Sequence, residues 1–144
     1  MEVYIKIMKK NTLPKIETLN KVMWFENASI SKVGNDEYLN NGEEVSLSWD
    51  KWINDPRWAQ HCKSKEYIYF QLINSQVMKI EVDDDALFVD KRAVYLATKL
   101  LAEKNNGEIN IEGEKWLSIE EFNDITKEYI NCSLVDAVDK SLKE

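Results

Sequence analysis

The sequence predicts an α+β fold, a mostly antiparallel sheet from the N-terminal two thirds packed with C-terminal helices on one face. Alternating apolar residues recur up to Val82, and beyond Asp85 the period becomes helical. Only one short strand-like stretch interrupts the helical part. Strands first and helices last favour antiparallel pairing over alternating βαβ units.

Residues 2–8 alternate Val3, Ile5 and Ile7 against Tyr4, Lys6 and Met8, which predicts a first strand. Residues 9–20, with Pro14 and mixed polarity, predict a loop or at most a short helix after the proline. Residues 21–33 predict a second extended segment broken near Glu26 and Asn27, and Gly34, Asn35 and Asp36 form a turn signal. Residues 44–49 alternate again; Trp49, Trp52 and Ile53 then fall at helical spacing, predicting a turn or two of helix before Pro56. Residues 66–73 are dense in aromatic and β-branched side chains, and with residues 76–82 they predict a hairpin across Asn74 and Ser75.

Ala93, Leu96, Ala97, Leu100 and Leu101 make one helical stripe, with Asp90 as its expected N-cap and Asn105, Asn106 and Gly107 as its stop. Residues 108–111 predict a short strand closed by Gly113. Ser118 and Glu121 form an S-x-x-E capping box, so a helix begins at Ile119 with a stripe of Ile119, Phe122, Ile125 and Tyr129. Leu134, Ala137, Val138 and Leu142 make the last stripe.

With 144 residues, 44% of them hydrophobic, the chain suits one globular domain, residues 1–144. It has no run approaching the ~18 apolar residues of a membrane span. The opening MEVYIKIMKK has no small-residue cleavage site, so it reads as a strand and not a signal peptide. Cys62 and Cys132 are then expected as reduced thiols, and a cytoplasmic location follows.

The net charge of −7 is uneven: residues 1–66 hold ten acidic and ten basic side chains, residues 103–144 eleven and five. An acidic surface repels phosphate backbones and disfavours nucleic acid. Trp49, Trp52, Trp58, Tyr67 and Tyr69 form an aromatic middle, expected chiefly in the core. With Lys51, Arg57, Lys63 and Lys65 beside them, a stacking platform for single strands is a minor option.

Catalytic constellations fail on spacing or count. His61 is the lone histidine, and its neighbour Cys62 is badly placed for a dyad, since adjacent side chains rarely meet. Two cysteines and one histidine cannot close a zinc site. Asp83, Asp84 and Asp85 are the densest carboxylate run, but lack the alternate spacing and glycine of a cation loop. No catalytic residue, metal or cofactor is therefore expected. Glu108, Glu112, Glu114, Glu120, Glu121 and Asp124 surround one strand–turn–helix unit with only Lys115 opposing them. Such a local excess suits docking of a Lys/Arg-rich protein by electrostatic steering.

The stretch Ala93-Val94-Tyr95-Leu96-Ala97 through Asn105-Asn106-Gly107-Glu108-Ile109 to Trp116-Leu117-Ser118-Ile119-Glu120-Glu121-Phe122 resembles small bacterial immunity proteins of polymorphic and contact-dependent inhibition toxins. The resemblance implies a non-catalytic inhibitor that binds and blocks a toxin domain, often a basic nuclease, and it transfers no active-site residue. The expected partner surface is Asp83, Asp84, Asp85, Glu108, Glu112, Glu114, Glu120, Glu121 and Asp124. The alternative is a divalent-metal-dependent hydrolase or nuclease-like enzyme using the Asp83, Asp84 and Asp85 carboxylates.

Overall fold

The computed structural model describes residues 1–8 and 13–144. Strands β1 (Glu2–Lys6), β2 (Ile30–Val33), β3 (Val45–Trp49), β4 (Ile68–Asn74), β5 (Val77–Glu81), β6 (Ile109–Ile111) and β7 (Trp116–Leu117) form one sheet. Its order is β2-β3-β4-β5-β1-β6-β7, and every pairing is antiparallel. The helices are α1 (Ile16–Met23), α2 (Asp36–Asn40), α3 (Lys51–Asn54), α4 (Phe88–Asn105), α5 (Ile119–Ile125), α6 (Lys127–Ile130) and α7 (Leu134–Leu142). The fold is α+β, as the segregation of periods predicts.

Register turns alternation into two unlike faces. Val3, Ile80 and Phe70 sit side by side across β1, β5 and β4, as do Ile5, Met78 and Leu72, and all six are buried. The long helix α4 lies on β1 and β5 from this side, burying Ala93, Val94, Ala97 and Leu101, and α1 and α7 pack against it in turn. Each fully buried Leu, Ile or Phe contributes roughly 1.5–3 kcal/mol relative to exposure. On the opposite face Tyr4, Lys79 and Gln71 form one cross-strand row and Glu2, Glu81 and Tyr69 the next, all only half-buried.

One glycine fixes how α4 returns to the sheet. Asn106 ends the helix at φ 48°, and Gly107 N–H bonds to Ala102 O at 3.0 Å. A Cβ on Gly107 would lie 2.2 Å from Lys6 O, so only glycine lets the chain pass β1 this closely. Lys6 N–H then donates to Glu108 O at 3.0 Å, and β6 begins alongside β1.

Several expectations are corrected. The segment 21–33 is not extended throughout: α1 runs to Met23, burying Ile16, Leu19 and Met23 on a helical stripe, and only Ile30–Val33 is strand. Residues 9–12 of the expected loop lie outside the described residues. Asn35 caps the five-residue α2 by accepting from Tyr38 N–H at 3.0 Å, so the turn signal opens a helix. The strand ending at Trp49 and the helical turn before Pro56 are present as β3 and α3, but the buried residue of α3 is Lys51 while Trp52 and Ile53 are exposed. Asp90 does not cap α4; it lies within the first turn, fully buried, and Leu87 takes the cap position. Ile125 is 58% exposed and outside the stripe that Phe122 anchors. The sheet also draws β6 and β7 from the C-terminal third, and α1 supplies a helix from the N-terminal part. The capping box is present as expected, with Ser118 Oγ accepting from Glu121 N–H and Glu121 Oε1 from Ser118 N–H, both at 3.1 Å. Among the described residues no helix is long and apolar enough to cross a membrane.

Candidate functional site

Three strand ends meet where β1 begins and β5 and β6 finish. Val82 N–H donates to Met1 O at 3.0 Å and Glu112 N–H to Glu2 O at 2.8 Å. Pairing then sets Glu2 directly opposite Glu81. The Met1 ammonium lies 2.5 Å from Asp84 Oδ1 and 3.9 Å from Glu112 Oε1. Glu2, Glu81, Asp84 and Glu112 thus crowd one corner of the sheet; among the described residues Lys79, 3.8 Å from Glu81, is the one side chain in ion-pair range of them, and Lys91 acts on Asp84 from farther away. Tyr4 Oη donates to Glu2 Oε2 at 2.6 Å. That bond holds Glu2 below the usual carboxylate range, and together with burial and the neighbouring carboxylates it pushes the Tyr4 phenol up to about 12.

The structure divides the sequence-derived acidic set. Asp84 and Glu112 converge at this corner. Glu108 stands at the other end of β6, paired with Lys6 Nζ at 2.7 Å. Glu121 is engaged in the α5 cap, and the Ser118 N–H holds its carboxyl low. Asp124 lies 3.6 Å from Lys127 Nζ, one turn along the chain. Glu114 is exposed in the β6–β7 turn and Glu120 on α5. The aspartate run also splits: Asp84 turns to the N-terminus, while Asp85 meets Lys63 Nζ at 3.0 Å, which lowers its pKa.

Asp83 and Asp85 instead gather with Glu66, each offering a carboxylate oxygen within 4.8 Å of the others. Glu66 precedes β4 with its side chain only 9% exposed; Lys63 Nζ is 3.9 Å away, and its Oε1 has no hydrogen-bond partner. Burial pushes its carboxyl up.

Deeper still, Lys51 Nζ lies 2.9 Å from Asp90 Oδ2, with neither side chain exposed. The ammonium also donates to Lys63 O at 3.2 Å and lies 5.3 Å over the Trp58 ring and 5.8 Å from that of Trp49. Burial raises the Asp90 carboxyl against the pull of Lys51. Trp49 and Trp58 are therefore core residues, as expected of most of the aromatic middle, and Lys51 cannot serve a stacking platform.

His61 Nδ1 accepts from Lys63 N–H at 3.0 Å, and its ring packs edgewise on Trp58, which gives it a structural role in the loop. Cys62 and Cys132 are free thiols, the first exposed. A polar cleft of about 740 Å³ opens between α1 and β2, with Glu17, Lys21, Glu26 and Lys32 of both signs on its walls.

Sequence reasoning missed Glu2, Glu66 and Glu81. The signal for Glu2 and Glu81 was available, since pairing β1 with β5 brings their ends together. Glu66 had one as well: the hairpin of β4 and β5, with Tyr69 opposite Glu81, carries the residues before β4 back to the aspartates after β5. No family model matches the sequence, and neither a curated protein nor a solved structure matches the chain.

Proposed function

We propose that this chain is a non-catalytic binding protein of the immunity type, working in the cytoplasm, that neutralises a basic toxin domain by docking it at the Glu2–Glu81–Asp84–Glu112 corner. The observation that supports this reading is the convergence of those carboxylates against so little positive charge. An exposed array of one sign steers an oppositely charged partner and selects against nucleic acid. Tyr4 and Tyr69 continue the surface on the open sheet face, and tyrosines are natural interface anchors because they bury area at low entropic cost. An arginine can pair with a corner carboxylate while its guanidinium plane stacks on a ring. Glu108, Glu114, Glu120, Glu121 and Asp124 then belong to the margin of the surface.

The test is a titration of the chain with the product of the adjacent gene. Triple reversal of Glu81, Asp84 and Glu112 to lysine is expected to weaken binding at least ~100-fold, from ~1–3 kcal/mol per reversed contact, and to flatten its salt dependence. Unchanged affinity would remove the corner from the interface, and failure to block the toxin would remove the function. The metal-dependent hydrolase reading is favoured by one observation, the gathering of Asp83 and Asp85 with Glu66. It requires both a cation there and turnover: absence of cation binding removes it, and with a cation bound, absence of hydrolytic activity on nucleic acid removes it.

A further inference from the structure

The carboxylate group beside the corner is more than a solvated turn. We propose that Glu66, Asp83 and Asp85 form a binding site for a hard divalent cation, Ca²⁺ in the first place, with Lys63 as a built-in competitor for the same position. The inference is independent of any protein partner.

Geometry carries the first part. The three oxygens lie within 4.8 Å of one another. Three oxygens at that limit stand about 2.8 Å from their common centre, so closing them to about 4.2 Å sets one calcium ion at a Ca–O bond of about 2.4 Å from all three. Mg²⁺, with bonds of about 2.1 Å, asks the carboxylates to close further, to about 3.6 Å.

Glu66 carries the second part and sets this group apart from an ordinary acidic patch. Its side chain is nine-tenths buried and contributes an oxygen to the same group as the exposed Asp83 and Asp85. Among the described residues no donor reaches Oε1, and the one ion pair of this carboxylate is the long 3.9 Å approach of Lys63 to Oε2. A buried carboxylate oxygen without a donor is costly unless something cationic meets it. Lys63 approaches only the other oxygen, Oε2, and from 3.9 Å, since its ammonium is drawn to Asp85 at 3.0 Å.

Charge and mobility complete the argument. One ammonium against three carboxylates leaves a deficit of two, which a divalent ion matches. The Lys63 side chain is 23% exposed and sits on a loop between a 3-10 turn (Pro56–Trp58) and β4, so it can swing toward solvent when an ion enters. The ion would then tie the loop before β4 to the turn before α4.

The experiment is isothermal titration of the chelator-treated full chain with Ca²⁺, Mg²⁺ and Mn²⁺, alongside Lys63→Met, Glu66→Gln and Asp85→Asn. Circular dichroism checks the fold of each variant. Saturable binding at one site is expected, with a dissociation constant in the ~10⁻⁴–10⁻³ M range of sites with few protein ligands. Lys63→Met is expected to tighten it about tenfold, the worth of removing a unit charge ~6 Å from a divalent ion in water. Glu66→Gln and Asp85→Asn should each weaken it about tenfold or more. Absence of saturable binding in both wild type and Lys63→Met up to about 10 mM, well above that range, overturns the proposal. Binding by a folded Glu66→Gln as tight as wild type overturns it equally, because the ion would then rest on the exposed aspartates alone.

Discussion

The molecule holds the same chemistry in two settings less than one loop apart. Lys51 and Asp90 are sealed in the core under Trp49 and Trp58, while Lys63, Asp85 and the corner carboxylates face solvent. In the core each charge has lost its water, so the pair exists only because each partner answers the other and the rings crowd the ammonium. At the surface, water does most of that work, and an unmatched carboxylate costs little. Buried charge therefore specifies the fold, and exposed charge stays free to meet something else.

The sharpest way to break this contrast is to remove one buried partner. Lys51→Met leaves Asp90 uncompensated and is expected to cost about 3–5 kcal/mol in urea unfolding. Lys51→Met with Asp90→Leu should recover most of that loss, since an apolar pair of similar volume is often neutral or better. The pH response gives the sign independently. Burial holds the folded Asp90 carboxyl above its unfolded value of about 3.9, so the folded state binds more protons. Its contribution is most favourable below that unfolded value and declines as pH rises through the folded one. Lys51→Met should steepen the decline, and an unaltered pH profile would show that Lys51 does not counter that charge.

Next in size is the frame that holds the corner. Gly107→Ala forces a methyl against Lys6 O, 2.2 Å away in the present geometry, and backbone there cannot yield as a side-chain tip would. About 1–3 kcal/mol is expected, from overpacking, with loss of amide protection concentrated in β1 and β6. A loss spread evenly over the sheet would mean that this crossing is not what ties α4 to the corner.

How much of this was legible follows the same division. β1, β4 and β5 were readable because one face must be buried, which imposes a period of two on the sequence; β3 is buried on both faces and was readable because serines alternate with its apolar residues. Ser118 and Glu121 were readable because a cap is local. The helix α1 was obscured by the apolar run Val22, Met23, Trp24 and Phe25, which looks extended; its stripe begins earlier, at Ile16 and Leu19. The burial of Lys51 had no local sign, because its partner Asp90 comes from α4 and the nearer Trp58 only cages it. The acidic site was half legible. Counting charge along the chain found Asp84 and Glu112 but joined them to Glu108 and Glu121, whose carboxylates have local duties. It passed over Glu2 and Glu81, which strand pairing sets opposite each other.

That difference in duty predicts different costs for the same substitution. Ser118→Ala removes the cap of α5 and is expected to cost about 1 kcal/mol. Glu121→Gln should cost a few tenths of that, by loss of its charge near the helix start. Glu81→Gln and Glu112→Gln, by contrast, should leave stability within about 0.5 kcal/mol of wild type or raise it, because they relieve repulsion. Thermal unfolding of the four variants under one buffer ranks them. A larger loss from Glu112→Gln than from Ser118→Ala would make the corner structural and take away its freedom to bind.

The finest comparison lies in two phenols raised to the same place by opposite means. Tyr4 and Tyr95 are both pushed up to about 12, Tyr4 first by its hydrogen bond to Glu2 and Tyr95 first by burial. Deprotonating Tyr4 destroys the bond it donates and sets a phenolate among Glu2, Glu81 and Glu112. Deprotonating Tyr95 strands a charge beside Phe122 and Tyr129, whose rings lie 6.0 and 5.1 Å away. Glu2→Gln should therefore return Tyr4 toward the ordinary value of about 10 and leave Tyr95 in place. High salt should act in the same direction and more on Tyr4 than on Tyr95, because screening weakens the carboxylates around Tyr4, whereas partial burial is the first cause for Tyr95. Titration of ¹³C-labelled tyrosine followed by NMR resolves the two. If both phenols moved together, the corner and the core would share one electrostatic environment, and the division between charge that builds the fold and charge that waits for a partner would fail.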